Sequence, residues 1–288
     1  MLSENKLFTW DDASARWLQE QSHKSSLASD RIHIKWLDTH LTGALLVDIS
    51  RHRIDQIIKA KVSEGVKNST VNRVLEVLRA ILRRSVIDWE WLSTSPRVPM
   101  LKEPLRRIRF ITHSQAKTLL HELPSHLSAM AAFALATGLR RSNITGLQWS
   151  QVDLSRRVAW VHPDQAKARR AIAVPLNSDA VALIAMQIGK HPTNVFTYRG
   201  NVVRQTSTAA WYKALRRAGI ENFRWHDLRH TWASWHVQGG TPIHVLQELG
   251  GWEDADMVRS YAHFSADHLL PYAGNLQSLM RVNAPCAA

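Results

Sequence analysis

A single cysteine, Cys286, stands in the whole 288-residue chain, which excludes a disulfide framework and a thiolate metal cluster and fits a reducing cytoplasm. No apolar run approaches the roughly 20 residues of a spanning helix. The opening MLSENKLFTWDDA also lacks the basic-then-apolar order of a secretory signal. The chain therefore reads as soluble and cytoplasmic, with no membrane partner. Acidic residues are in short supply: 24 Asp and Glu face 37 Lys and Arg, a formal charge of +13. Such an excess favours a polyanionic partner, with nucleic acid first. There is no internal repeat and no low-complexity tract. What is plentiful is apolar material, 45% of the residues, enough for two cores.

The sharpest break is STSPRVPMLKEPLRRIRF, where Pro96, Pro99 and Pro104 forbid a continuous helix and Arg106, Arg107 and Arg109 follow. It predicts a linker over 96–107 between a helical domain, 1–95, and a second domain, 108–288. In the first, helices are expected around 10–20, 27–41 and 50–63. A fourth begins with Ser69 as N-cap and carries Val71, Val74, Leu75, Leu78, Ile81 and Leu82 on one face. Asn72, Arg73, Glu76, Arg83 and Arg84 fall opposite, by default a solvated face. In the second domain, Thr112 to Gln115 fits a capping box, and a buried alanine-rich helix runs to Gly138. The period then shortens: Val152–Leu154, Arg157–His162 and Ala171–Leu176 read as strands, the last two joined by a turn around Lys167. Helices return from Thr206, one of them capped by Thr241 with Pro242 at its first position and stopped by Gly250 and Gly251.

Taken singly, the candidate chemical groups have ordinary explanations. An arginine after a glycine turn is often a cap, a hairpin lysine is usually solvated, and Trp252 and Tyr261 are core or rim aromatics by default. His226 and His230, at i and i+4, could share a zinc. HDLRH lacks the glutamate of HExxH, however, and Arg229 would repel the ion.

Their order is more specific. TGLRRSNITGLQWSQVDL, AKARRAIAVPL, HDLRHTWAS and ELGGWEDADMVRSYAHFS resemble, one after another, the motifs of the tyrosine recombinase family, the phage-type integrases. The resemblance spans about 108 to 275. It implies a mainly α fold with a small antiparallel β-sheet (the α+β catalytic domain), preceded by a helical SAM-like core-binding domain. It also implies Arg140 and Arg229 as catalytic arginines, Lys167 as the hairpin lysine, His226 as the partner of Arg229 in HxxR, and Tyr261 as nucleophile. Trp252 takes a position that is His in most members and Trp in some. Asn143 stands where the family commonly has an acidic residue, a departure expected to weaken or retune the site.

Each residue type suits the implied chemistry. Tyrosine attack on a phosphodiester needs a phenolate-like oxygen, although the phenol pKa is ordinarily about 10. Charge gathering on the nonbridging phosphate oxygens suits planar guanidinium forks. His226 can accept the phenol proton or hydrogen-bond the phosphate, Lys167 can protonate the departing 5′ oxygen, and the Trp252 indole can donate but not exchange a proton. No metal or other cofactor is called for, because the clustered groups are cations.

The resemblance further implies double-stranded DNA carrying specific recombination sites as partner, a homotetramer on two paired sites (the free chain a monomer), and accessory proteins that bend the DNA. Lys67, Thr70 and Arg73 are picked by position as DNA contacts. Two other readings stand beside this one. A type IB topoisomerase would share the 3′-phosphotyrosine chemistry. A non-catalytic DNA-binding protein would use Thr241–Gly251 as part of a helix-turn-helix but would leave the ordered Arg, Lys, HxxR and Tyr unexplained.

Overall fold

The computed structural model describes residues 7–104, 108–164 and 171–261, and the chain divides into two compact units, Met1–Arg106 and Arg107–Ala288. Among the described residues the architecture is mainly helical, with small antiparallel sheets in the second unit. No described helix is long and apolar enough to cross a membrane.

Among the described residues the first unit holds four α-helices, α1 Trp10–Glu20, α2 Leu27–Leu41, α3 Arg51–Ser63 and α4 Asn68–Ile87, with a 3-10 turn over Leu46–Asp48 between α2 and α3. Thr9 and Asp12 close a reciprocal capping box on α1, and the Ser50 hydroxyl caps α3 by accepting from the Arg53 N–H. The N-cap of α4, Lys67, lies two residues before the expected one. The N–H groups of Thr70 and Val71 both bond to the Lys67 carbonyl, so the first turn closes on Lys67 and Ser69 lies inside it. The apolar face of α4 is buried from Val71 to Leu82, each large side chain contributing about 1.5–3 kcal/mol through removal from water.

Asn72 corrects the expected polar face. It is buried at 3% exposure, donates to the Leu101 carbonyl and Glu103 carboxylate at 2.9 and 2.7 Å, and accepts the Leu101 N–H at 2.8 Å. Its place beside Val71 puts it under the returning proline-rich chain, whose backbone groups it satisfies. Four tryptophans, Trp10, Trp17, Trp36 and Trp89, send their indole N–H groups to Asp38, Asp30, Glu64 and Glu20. An amphipathic ring can thus be buried without stranding its donor.

The second unit opens with α5 His113–Glu122, whose Thr112–Gln115 capping box is formed, and α6 Ser125–Thr137. Helix α6 lies against α5, against α8 Ser178–Ala185, and against α10 Asp227–Gln238. Its small residues Ala131 and Ala134 allow that close approach on several sides, with Phe133 and Met130 filling the core between. A short α7, Arg141–Thr145, leads to strands β1 Val152–Asp153, β2 Val158–Val161 and β3 Ile172–Pro175, antiparallel in that order. Ala159 and Val161 on β2 and Val174 on β3 face the core, while alternate residues turn outward, the period of two already visible in the sequence. A two-stranded hairpin, β4 Thr197–Tyr198 with β5 Asn201–Val202, was not anticipated: its strands are too short to alternate, and its turn places Arg199 at φ +50° and Gly200 at φ +75°. Helices α9 Ala209–Arg217, α11 Ile243–Gly250 and α12 Ala255–Arg259 complete the described part. Helix α11 begins one residue later than expected. Pro242 is its N-cap, because the Leu246 N–H bonds the Pro242 carbonyl, and the Thr241 hydroxyl instead meets His236 Nδ1 at 2.9 Å.

Candidate active site

Two glycine-terminated helices set the position of one arginine. Helix α6 ends at Gly138, in the left-handed region at φ +64°, and α11 ends at Gly250, followed by Gly251 at φ +60°. Both ends are crowded. A Cβ on Gly138 would come within 2.2 Å of the Trp232 ring, one on Gly250 within 1.8 Å of the Trp252 ring, and one on Gly251 within 2.5 Å of Ile172 Cδ1. Only hydrogen fits at these three places, and the tryptophans close over the helix ends.

Arg229, on α10, reaches between them. Its two terminal nitrogens donate to the Gly138 and Gly250 carbonyls, both at 2.6 Å, and its guanidinium lies 4.1 Å from the centre of the Trp252 ring. The side chain is buried at 5% exposure. Its cation is held by the partial negative charge of two helix C-termini and a ring face. Burial pulls its pKa down to about 9, the neighbouring Arg140 cation pulls the same way, and Tyr261 pulls it back up. At neutral pH the group stays charged.

Arg140 is the N-cap of α7, directly after the Gly138 turn. It is half-buried, and desolvation lowers its pKa against an opposing pull from Glu253. The Gly138 turn and the α10 helix thus bring two guanidinium groups into electrostatic contact. Such a like-charge pair in a partly buried place is costly unless an anion joins it. Asn143 is buried on α7 at 6% exposure.

Tyr261 follows α12 and is buried at 3% exposure. Its hydroxyl is 2.5 Å from His230 Nδ1, its ring centre is 5.9 Å from that of Trp252, and its ionised form would favour the Arg229 cation. Trp252 and Trp232, their ring centres 6.0 Å apart, wall the cluster. His226 is exposed and is the N-cap of α10 rather than a residue inside its first turn. Its ring meets that of His230 edge-on at 5.0 Å. The flanking tryptophans anchor this stretch: Trp225 is buried in the main core, and Trp235 donates to the Ile111 carbonyl at 3.0 Å while stacking on His113.

Of the six residues expected at the site, Arg140, Arg229, Trp252 and Tyr261 form one cluster, and His226 adjoins it through His230. Lys167 lies outside the described residues, in the β2–β3 connection. Lys67, Thr70 and Arg73 lie exposed at the start of α4 in the other unit, Arg73 paired with Glu76 at 2.6 Å. Sequence reasoning overlooked His230, considering it only as a zinc partner of His226. Its spacing four residues after His226 placed it on the right face, but only the return of the chain through α12 brings the phenol to it. Among the described residues no group of three His, Cys, Asp or Glu side chains is placed to hold a metal ion.

Residues 109–268 match the profile described as the phage integrase family. Over 323 aligned positions the chain is 38% identical to the integrase of Salmonella phage P22, with 99% of this chain and 84% of the relative covered. Its fold is similar to that of lambda integrase in a dimer bound to a COC′ core site, with a TM-score of 0.74, 18% identity, and 96% and 81% of the two chains covered. It is similar also to lambda integrase in a tetramer bound to a Holliday junction, with a TM-score of 0.73, 19% identity, and 90% and 78% covered.

Proposed function

The chain belongs to the phage integrase family, and from that premise we propose how this site-specific DNA recombinase, an enzyme that breaks and rejoins DNA strands, divides the work among its residues. The observation that carries the proposal is the clustering of buried Arg229 and Tyr261 around the Trp252 ring, with half-buried Arg140 in electrostatic contact with Arg229.

Tyr261 Oη attacks the scissile phosphorus, forming a 3′-phosphotyrosine and expelling the 5′ oxygen. Arg140 and Arg229 take the nonbridging oxygens, and a bound phosphate relieves the repulsion between their charges. Arg229 is suited to the task because carbonyls, rather than a carboxylate, hold it: its geometry is fixed while its charge is not neutralised. His226, exposed at the N-cap of α10, hydrogen-bonds the phosphate. Lys167 supplies the proton to the leaving 5′ oxygen. Trp252 contributes its ring to Arg229 and its indole N–H to the phosphate. The ester energy is kept in the covalent adduct, so the 5′-hydroxyl of a partner strand reverses the step without ATP.

Within the same reading, residues 1–95 form the core-binding domain, 96–107 the linker and 108–288 the catalytic domain, with Lys67, Thr70 and Arg73 against DNA phosphates. The chain acts as a homotetramer on two paired recombination sites, assisted by DNA-bending proteins. Neither a topoisomerase nor a passive DNA binder is favoured by the family.

The test is covalent capture on nicked duplexes whose cleaved strand diffuses away. Wild-type protein is expected to give a protein–DNA adduct and, with a second site present, exchanged strands. Tyr261→Phe keeps the ring and is expected to bind duplex without forming the adduct. Capture by the Phe variant would remove Tyr261 from the role of nucleophile, and relaxation without exchange would favour the topoisomerase reading.

A further inference from the structure

The phenol that must lose a proton touches a histidine other than the one in the HxxR pair. The Tyr261 hydroxyl lies 2.5 Å from His230 Nδ1, whereas His226 meets His230 ring to ring at 5.0 Å. We propose that His230 is the general base of the cleavage step, taking the Tyr261 proton, and that His226 is thereby left to the phosphate. The inference rests on the reading of Tyr261 as nucleophile.

Three features support it. The first is location: Tyr261 is 3% exposed, so bulk water is poorly placed to take its proton, whereas His230 is already in contact with the hydroxyl. The second is tautomer. With the proton on Nε2, His230 Nδ1 presents a lone pair to the hydroxyl, the arrangement required of an acceptor at the pH where imidazole is mostly neutral. The third is electrostatic. Arg229 lies over the Trp252 ring that neighbours Tyr261, and an ionised Tyr261 favours its cation, so the phenolate-like oxygen that appears as the proton leaves has a cation in its surroundings. The helix supplies the spacing. His226, Arg229 and His230, at i, i+3 and i+4, lie along one side of the start of α10, with the exposed N-cap residue outermost and the half-buried His230 one turn deeper.

The step balances. As Tyr261 Oη bonds to phosphorus, its proton passes to His230 Nδ1, giving an imidazolium. The phosphorus–O5′ bond breaks, and the 5′ oxygen receives a proton from the leaving-group acid. In the reverse direction His230 returns its proton to the departing phenol oxygen, regenerating neutral imidazole and tyrosine.

The experiment uses full-length protein and the duplex that wild-type protein captures most readily from a nicked library with a randomised core. That duplex is prepared with an ordinary 5′ oxygen and with a 5′-bridging sulfur, which leaves without needing a proton. Rates of adduct formation are compared for wild type, His230→Ala and His230→Asn, with duplex binding as the control for folding. Asn can accept the phenol hydrogen bond but cannot take the proton. Both variants are expected to bind normally and to form adduct on the order of 100-fold more slowly or worse, and the sulfur-bridged duplex is expected not to restore either.

Four results would overturn the assignment. Unchanged or faster capture by His230→Ala would show that the contact is idle or restraining. Capture by His230→Asn at the wild-type rate would make His230 a positioning residue only. Recovery of either variant on the sulfur-bridged duplex would move its role to the leaving group. If wild-type protein forms no adduct, the nucleophile reading itself fails, and this inference with it. Should His230→Ala bind poorly, His230→Asn and His230→Gln decide the matter.

Discussion

In the first unit Arg16 and Arg84 converge on Glu20, Arg51 on Asp55, Lys61 on Glu64 and Lys24 on the buried Asp30. In the second, the most deeply placed cation, Arg229, is held instead by two backbone carbonyls. The tryptophans follow the same division: Trp10, Trp17, Trp36 and Trp89 donate to carboxylates, whereas Trp149 and Trp235 donate to the carbonyls of His191 and Ile111. A carboxylate satisfies a donor and cancels a charge together. A carbonyl satisfies the donor and leaves the charge. The first unit uses acidic residues as fasteners, whereas among the described residues Arg229 keeps its full positive charge, as its proposed role requires.

Several substitutions can break or sharpen that contrast. The largest effect is expected from Arg229→Ala, which removes the cation and strands two buried carbonyls. Covalent capture should fall by roughly 100- to 1000-fold or more, and thermal unfolding should show a loss of about 1–3 kcal/mol for each unsatisfied group. An unaltered capture rate would end the claim that carbonyls preserve this charge for use. Next comes Gly250→Ala, whose methyl would overlap the Trp252 ring. Overpacking of about 1–3 kcal/mol should lower the melting temperature of the second unit, and a silent substitution would show that the helix end can yield.

A change of similar size, confined to stability, is expected in the first unit. Trp17→Phe leaves Asp30 with Lys24 but without its indole donor and should cost about 1–3 kcal/mol by chemical denaturation, with the catalytic rate on bound DNA unaltered. The smallest effect belongs to Arg73→Ala, which removes one exposed ion pair. Stability should change by less than about 1 kcal/mol, while the salt dependence of duplex binding should flatten by roughly one unit of slope. An unchanged slope would take Arg73 off the DNA.

Much of the fold was legible because its signals are local. The Thr112–Gln115 capping box, the Gly138 stop and the alternation around Ala159 and Val161 all act within a few residues. Asn72 was misplaced because its partners, Leu101 and Glu103, lie some thirty residues away and impose a need no helical period reveals. The motif order named Arg140, Arg229, Trp252 and Tyr261, which the fold brings near one another, but not what holds them. That two glycine carbonyls would grip Arg229, or that His230 rather than His226 would touch the phenol, depends on how α6, α10, α11 and α12 cross. A one-dimensional pattern does not record those crossings. Helix starts at Lys67 and Pro242 were displaced for a simpler reason: several neighbouring residues can cap, and the first closed backbone bond decides among them.

The grip on Arg229 also bears on association with DNA. A free arginine side chain carries about 2 kcal/mol of rotamer entropy, and a flexible one would have to surrender it on meeting a phosphodiester. Here that freedom was given up when the polypeptide folded. If Arg229 holds the phosphate as proposed, the ordering penalty at the moment of encounter falls on the incoming strand, and selectivity between sequences can draw on how readily each of them bends to meet a receptor that does not adjust.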